Sequence, residues 1–324
     1  MNFHPSIIRS IWRIEGNEYL TGITYTVSSI LSIQSVTKYY GSIRALQQVS
    51  FDVPPGSVFG VLGPNGSGKT TLLGVVMDVL KASEGGFTWF GQPPSEKHRQ
   101  QIGTLLETPN FYHYLSGERN LRIAAEIKGR GKDDIARVLE MVKLTDRKDS
   151  KFSTYSLGMK QRLAIASCLL GNPSVLVFDE PTNGLDPVGI TQIRELIKQL
   201  SREGKTILLA SHLLDEVEKV CTHVAILQKG RLLAAGDVNE VLTNEEFIEL
   251  GTTEDAAAQL RSILAGLTGI KHIKELDGHL QIFFDKETMS LAGLNRHCFE
   301  KGVTLDHLQL RKRSLESKFM ELTK

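Results

Sequence analysis

The sequence predicts an α/β fold with a largely parallel β-sheet, followed by a small α+β domain. Three patterns lead to this prediction. Apolar strand-like runs alternate with helical segments over residues 30–243, a glycine-rich loop joins one such strand to a helix, and a different order of strands and helices begins at residue 244. Strands that alternate with helices favour a parallel sheet, because each crossover helix brings the chain back to the same edge.

The first domain is expected to span residues 30–243 and to contain an inserted helical subdomain over about 96–170. It begins with two strands of alternating polarity and continues with a buried strand, the glycine-rich loop and an apolar helix, SVFGVLGPNGSGKTTLLGVVMDVL. Helical periodicity is predicted throughout the subdomain. A strand, a helix, a strand, a short helix and a hairpin follow it, in the segments SVLVFDEP, PVGITQIRELIKQLSREG, KTILLASH, LLDEVEKVC and HVAILQKGRLLAAGD.

Residues 244–324 are expected to form a C-terminal accessory domain. The pattern predicts a strand, a helix, a hairpin that turns at Asp277 and Gly278, a second helix and a last strand, before an amphipathic closing helix, SLESKFMELT. The βαββαβ order of these elements is typical of a ferredoxin-like unit.

Charge and composition narrow the function classes. The 324 residues carry 38 Lys and Arg against 37 Asp and Glu, so the formal net charge is +1. Nucleic-acid-binding proteins usually have a marked basic excess, and no nucleic-acid partner is therefore expected. The apolar runs are shorter than the about 20 residues that span a bilayer. The three cysteines lack metal-ligand spacing and are expected to be reduced thiols of a cytosolic protein.

Residues 1–29 lack the apolar core of a signal peptide, because charged residues interrupt them. They are expected to be a poorly ordered extension. A loosely docked helix, an upstream translated stretch and a cloning remnant all stay open as interpretations.

The strongest chemical signal is the phosphate-loop pattern GPNGSGKT, which stands between a strand and a helix. Its glycines allow successive backbone N–H groups to face a phosphate. Lys69 is expected to reach the β- and γ-phosphates, and the Thr70 hydroxyl to bind Mg²⁺. A chance glycine turn is the alternative, and the flanking strand and helix disfavour it. The candidate nucleotide-binding residues are Gly63, Pro64, Asn65, Gly66, Ser67, Gly68, Lys69, Thr70 and Thr71.

Two further predicted strands end in residues that can bind a metal ion or transfer a proton. Asp179 and Glu180 end the strand SVLVFDE, where Asp179 is expected to hold Mg²⁺ and Glu180 to act as general base for an attacking water. His212 ends the strand TILLASH. The carboxyl ends of parallel strands are where ligands bind, which favours contact of His212 with the γ-phosphate. Acids that merely cap a strand end and a surface histidine are the structural alternatives.

A second, weaker anion site is predicted at YSLGMKQRL. Ser156 and Gly158 open a helix there, and the free backbone N–H groups of a helix N-terminus attract negative charge.

These motifs, in this order, resemble the ATP-binding subunits of ABC transporters over roughly residues 31–237. The resemblance implies a P-loop NTPase fold, ATP and Mg²⁺ as ligands, and a head-to-tail dimer, here a homodimer. It implies Glu180, His212 and Lys69 as catalytic residues. In such a dimer the signature of one subunit lies against the ATP of the other, so Ser156 and Gly158 are expected to bind the partner's γ-phosphate.

Three more positions take their expected roles from the resemblance. Tyr40 corresponds to the aromatic residue that stacks on adenine, although a core or turn tyrosine is an alternative. Asp186 ends the NGLD loop, which links the two active sites. Glu107 stands where most members have a glutamine that contacts Mg²⁺ and the attacking water, and its carboxylate puts that role in doubt.

The signature departs from the common LSGGQ, because Leu157 replaces its first glycine and Met159 its glutamine. This form of the signature, and glutamate at position 107, resemble the corresponding sequences of bacterial ABC subunits for drug, bacitracin and lantibiotic export or self-resistance. The resemblance therefore implies export through a separate membrane permease, from the cytoplasmic face of the cell membrane. An importer subunit, a soluble ABC ATPase acting on DNA or the ribosome, and a regulatory module that barely hydrolyses ATP are the alternatives.

Overall fold

The computed structural model describes residues 29–106, 111–242, 246–276, 278–284, 290–312 and 315–323. Glu107, Asp277 and all but the last residue of the predicted 1–29 extension lie outside this part. The described strands are β1 (Leu31–Tyr40), β2 (Ile43–Val53), β3 (Val58–Leu62), β4 (Glu84–Trp89), β5 (Ile102–Leu105), β6 (Val175–Asp179), β7 (Thr206–Ser211), β8 (His223–Gln228), β9 (Arg231–Asp237), β10 (Glu246–Gly251), β11 (Ile270–Leu276), β12 (His279–Phe284) and β13 (His307–Lys312). The described α-helices are α1 (Lys69–Val76), α2 (Glu96–Gln100), α3 (Gly117–Lys128), α4 (Ile135–Met141), α5 (Leu157–Leu169), α6 (Pro187–Arg202), α7 (Leu214–Glu218), α8 (Val238–Val241), α9 (Glu254–Ala265), α10 (Leu291–Glu300) and α11 (Leu315–Thr323).

A six-stranded sheet in the order β5-β6-β7-β3-β8-β9 forms the centre of the first domain. Its strands pair in parallel except β9, which forms an antiparallel hairpin with β8. β3, β6 and β7 are buried along their whole length, which explains their continuous apolar sequences. Since β7 lies between β3 and β6, the carboxyl ends of these three strands share one edge.

Alternate residues of the central sheet enter two separate hydrophobic cores. On one face, Leu176 and Phe178 of β6 pack with helices α3, α4, α5 and α6. On the other face, Val177 packs with α1 and with a three-stranded antiparallel sheet, β2-β1-β4. The period-two alternation along β6 thus separates a helical layer from a layer of strands.

The segment predicted as helical over 96–170 differs from the structure at one place. Ile102–Leu105 form β5, which pairs in parallel with β6 and is the edge strand of the central sheet. A strand of four residues is too short to show a period, and it directly follows the short helix α2. The main helices of this segment, α3, α4 and α5, come after it.

The C-terminal elements have the predicted βαββαβ order. β10, β11, β12 and β13 form an antiparallel sheet in the order β11-β12-β10-β13, with the first and third strands in the centre, as in a ferredoxin-like unit. Ile248, Leu250 and Ile282 of this sheet pack on Leu260 of α9 and Leu294 of α10. These elements have a hydrophobic core of their own.

The last helix, α11, packs away from the four-stranded sheet. Leu315 is fully buried and belongs to the core of the first domain, together with Val217 of α7. The C-terminal region therefore touches the first domain through the end of the chain. Among the described helices none is long and apolar enough to cross a membrane.

The approach of β5 to α5 generates a stability prediction. A Cβ on Gly103 would collide with the backbone carbonyl of Cys168, and backbone atoms cannot move aside as a flexible side chain can. We expect Gly103→Ala to lower the free energy of unfolding by about 1–3 kcal/mol. Urea unfolding followed by circular dichroism measures this change.

Gly86→Ala is the matched control, since Gly86 also lies in a strand and an added Cβ would meet no described atom within 4 Å. Its unfolding free energy should stay within about 0.5 kcal/mol of the wild type. Equal effects of the two substitutions would contradict the steric explanation.

Candidate ATP-binding and hydrolysis site

The phosphate loop lies between β3 and α1, at the carboxyl edge of the central sheet. Gly63 has φ +152° and Gly68, the residue before α1, has φ +107°. A Cβ on Gly68 would lie 2.7 Å from the carbonyl oxygen of Ala45, and one on Gly63 would collide with the carbonyl oxygen of Leu227. The loop therefore fits against its neighbours only with glycine at these two positions.

Lys69 is 5% exposed although it carries a charge. Its Nζ donates to the carbonyl oxygens of Gly63 at 2.9 Å and Pro64 at 3.3 Å, and it forms an ion pair with Glu180 Oε1 at 3.3 Å. These contacts hold the ammonium group within its own loop. The group can neutralise negative charge there without losing all of its hydrogen bonds.

Glu180 lies between two of the predicted catalytic residues. Its Oε1 faces Lys69, and its Oε2 lies 2.9 Å from Nδ1 of His212. The Glu180 backbone adopts a φ of +47°, unusual for a residue with a long side chain, and its N–H donates to the carbonyl of Ala210 in β7 at 3.0 Å. Three predicted residues from three separate segments thus form one row, joined by an ion pair and a hydrogen bond.

The oxygen atoms near this row fit a magnesium nucleotide. Asp179 ends β6 and is buried, whereas Thr70 is exposed in the first turn of α1. The Ser67 hydroxyl is buried and has no hydrogen-bond partner among the described residues, as expected of a group that faces a ligand. In the described part of the chain no three His, Cys, Asp or Glu side chains form a metal cluster. Mg²⁺ suits such a site, because it commonly takes one or two protein ligands and completes its shell with phosphate and water.

The other nucleotide-loop residues lie around this centre. Pro64, Asn65 and Gly66 are exposed, and Thr71 is partly buried in α1. Tyr40 ends β1 with 45% of its surface exposed, and Nζ of Lys38 lies 5.3 Å from its ring centroid. The ring is therefore accessible for stacking, but its contact with adenine stays a prediction.

The predicted signature forms the start of α5. Ser156 is its N-cap, and the Ser156 Oγ accepts a hydrogen bond from the Met159 N–H at 3.3 Å. A Cβ on Gly158 would meet no described atom within 4 Å apart from chain neighbours and the backbone of its own helix. Leu157 is 53% exposed. Packing within this chain therefore does not require glycine at position 158.

The structure leaves the predicted roles of Asp186 and Glu107 untested. Asp186 is the N-cap of α6, and its Oδ1 accepts from the Gly189 N–H at 2.9 Å, with Pro187 in the first turn of the helix. Capping explains an aspartate here, and a role in linking two sites stays a prediction. Glu107 lies outside the described residues.

Tyr155 fixes the segment that leads into the signature. It is buried, and its hydroxyl donates to the carbonyl of Arg147 at 2.7 Å. Burial raises the pKa of this phenol, because the neutral form is favoured away from water. This hydrogen bond, the Tyr155 anchor, links the segment before α5 to the turn that follows α4.

Comparisons with known proteins bear on the same regions. The family model described as ABC transporter matches residues 46–183. The chain is 36% identical to an uncharacterized ABC transporter ATP-binding protein of Bacillus subtilis, over 92% of this chain and 97% of that protein. It is also 32% identical to a bacitracin transport ATP-binding protein of Enterococcus faecalis, over 90% of this chain and 96% of that protein.

The chain belongs to the ABC transporter ATP-binding proteins. Among solved structures, an ATP-binding cassette in a dimeric, post-hydrolysis state bound to ADP and Pi superposes with a TM-score of 0.57 and 25% identity, covering 64% of this chain and 98% of that chain. The α/β fold and the P-loop assignment made from the sequence are thereby confirmed. ABC ATP-binding domains are ATP-hydrolysing domains, which agrees with the Lys69–Glu180–His212 row.

Sequence reasoning missed the groups that hold this row in place. Ser211 is buried at the end of β7, and its Oγ accepts the Leu213 N–H at 3.0 Å, which fixes the chain on both sides of His212. The one available signal was a polar residue that ends the apolar strand TILLAS. The hydrogen bond from Glu180 to the Ala210 carbonyl could not be predicted from the sequence, because every residue type has a backbone carbonyl.

The Tyr155 anchor generates a prediction. Tyr155→Phe removes the buried hydroxyl and leaves the Arg147 carbonyl without this donor, so the free energy of unfolding should fall by about 1 kcal/mol. Thermal or urea unfolding measures it. Tyr112→Phe is the control, because Tyr112 is exposed. A comparable fall in unfolding free energy for Tyr112→Phe would show that the hydrogen bond of Tyr155 is not the cause of the loss.

Proposed function

We propose that this ABC ATP-binding subunit hydrolyses MgATP in a dimer and powers export through a separate membrane subunit. The observation that supports hydrolysis best is the carboxylate of Glu180, which lies between the Lys69 ammonium and the His212 imidazole. The same chain thus offers a base, a cation for phosphate charge and a hydrogen-bonding group at one edge of the sheet.

In this proposal each residue has one task. Glu180 takes a proton from the attacking water, while His212 orients the carboxylate through its 2.9 Å contact. Lys69 binds the phosphates and offsets charge that develops during transfer. Thr70 and Asp179 would hold Mg²⁺, which would supply positive charge to offset the negative charge of the phosphates. The Tyr40 ring stacks on adenine.

The dimer proposal rests on the start of α5. Packing within the chain does not require glycine at position 158, and Ser156 is the exposed N-cap of α5, an end of a helix that favours an anion. A related ATP-binding cassette has been solved as a dimer bound to ADP and Pi, which supports a second copy as the partner. Ser156 and Gly158 then bind the nucleotide held by that copy, and Asp186 connects the two sites.

The export proposal rests on similarity. One relative is a bacitracin transport ATP-binding protein, matched over nearly its full length. A permease chain would bind this subunit at the cytoplasmic face of the membrane, and no nucleic acid is involved. A neighbouring gene for a multi-span membrane protein supports export, whereas one for a solute-binding protein favours the importer alternative.

Glu180→Gln tests the catalytic assignment. The amide keeps the shape of the side chain but cannot take a proton, so ATP turnover should fall about a hundredfold or more while ATP binding persists. Phosphate release and nucleotide binding measure the two quantities.

Glu203→Gln is the control, since Glu203 is an exposed residue just after α6, and its turnover should equal that of the wild type. Equal turnover of wild type and Glu180→Gln would show that Glu180 is not the base.

Gly158→Asp tests the shared site. A carboxylate at the signature should repel the phosphates of the partner's nucleotide and abolish hydrolysis, although ATP binding to the isolated chain should be largely intact. Ser156→Arg should also abolish hydrolysis, but for a different reason, because it removes the N-cap hydroxyl and places a long side chain where the partner's phosphate is expected. Fluorescent-nucleotide binding at low protein concentration, compared with turnover at high concentration, separates the two effects. A loss of monomer binding as large as the loss of turnover would overturn this division of tasks.

A further inference from the structure

The segment after His212 is short and depends on its neighbours. α7 has five residues, and such a helix is not stable by itself. Its start is tied to β7 by the Ser211–Leu213 hydrogen bond, and the Val217 N–H donates to the Leu213 carbonyl at 3.2 Å. A short hydrogen-bonded turn therefore connects α7 to His212.

Two contacts hold α7 from within the first domain. Arg194 of α6 reaches Glu216 with Nη1 at 2.9 Å from Oε2 and 3.2 Å from Oε1. Val217 is buried against β3, where a Cβ on Gly60 would lie 2.7 Å from the Val217 Cγ1. These contacts fix one side and the middle of the helix.

The end of α7 is held by the last helix of the chain. Oε2 of Glu218 accepts the N–H of Leu315, the first residue of α11, at 2.9 Å. A carboxylate at a helix N-terminus is favourable both as a hydrogen-bond acceptor and through the helix dipole. Glu218 thus serves as a cap for α11, although the two residues are far apart in sequence.

Hydrophobic packing reinforces this cap. Leu315 is 0% exposed, and Phe319 and Leu322 follow at helical spacing on the same face. All three pack on the core that contains Val217. α11 and α7 therefore form one packed unit, which begins two residues after His212.

We propose that Glu218 is a positioning residue for ATP hydrolysis: by capping α11 it fixes α7, and through α7 it holds His212 against Glu180. The proposal rests on the hydrolysis function proposed above. It assigns the final helix of the chain to the catalytic edge of the first domain. Glu218 has no contact with the phosphate loop in the described structure, so its effect should concern turnover and not nucleotide binding.

Glu218→Ala in the full chain is the first test. Loss of the cap should lower kcat for ATP about tenfold while KM and nucleotide affinity stay unchanged. Glu218→Gln should restore most of the turnover, since an amide oxygen also accepts the Leu315 N–H. Asp215→Ala is the matched control, because Asp215 is an exposed carboxylate of α7 that pairs with Lys219, and its kcat should equal that of the wild type. Thermal unfolding confirms that each variant is folded at the assay temperature.

A double-variant cycle separates positioning from general destabilisation. In the His212→Ala background, Glu218→Ala should lower kcat no further. Wild-type turnover of Glu218→Ala, or effects that multiply in the double variant, would overturn the positioning role while hydrolysis by Glu180 stands. If His212→Ala leaves turnover unchanged, the catalytic role of His212 is wrong and the positioning role is overturned with it.

Discussion

The contact of one carboxylate with two basic groups depends on the order of three parallel strands. Because β7 lies between β3 and β6, the phosphate loop, Glu180 and His212 meet at one edge. The 3.3 Å and 2.9 Å contacts of Glu180 then bring together residues that are distant in the chain. The buried ammonium group of Lys69 is tolerated because the Glu180 carboxylate and two backbone carbonyl oxygens are its partners. The rest of the domain keeps these strands in register.

Backbone conformation adds a second constraint at the same edge. Glu180 has a positive φ and is held by a hydrogen bond to Ala210, while Gly63 and Gly68 take conformations that close packing makes necessary. Strained or special backbone positions persist only where surrounding structure fixes them. The buried strands on both sides supply that fixed frame. Neighbouring strands therefore fix the backbone of the loops at this edge, and the side chain of Thr70 remains exposed.

In the proposed dimer the chain would supply one nucleotide half-site and one surface for a second copy. Lys69, Glu180 and His212 meet at the edge of the central sheet, whereas Ser156 and Gly158 open α5 in the helical layer. α11 adds a third contribution, since it returns from the C-terminal sheet to pack on α7. The proposed hydrolysis thus involves the phosphate loop, the ends of β6 and β7, and the helix α11.

The sequence by itself determined the fold class, the βαββαβ order and the residues of the phosphate loop. Local patterns carry these features: apolar periodicity gives the elements, and a loop that binds phosphate with backbone N–H groups needs glycine at fixed spacing. Glu180 and His212 could be chosen as candidates because each follows a buried strand. Only the tertiary structure decided that β5 is a strand, that Ser211 fixes His212, and that Glu218 caps α11. Strand pairing and helix capping between distant segments depend on which surfaces come into contact in the folded chain, and a local sequence pattern does not predict those contacts.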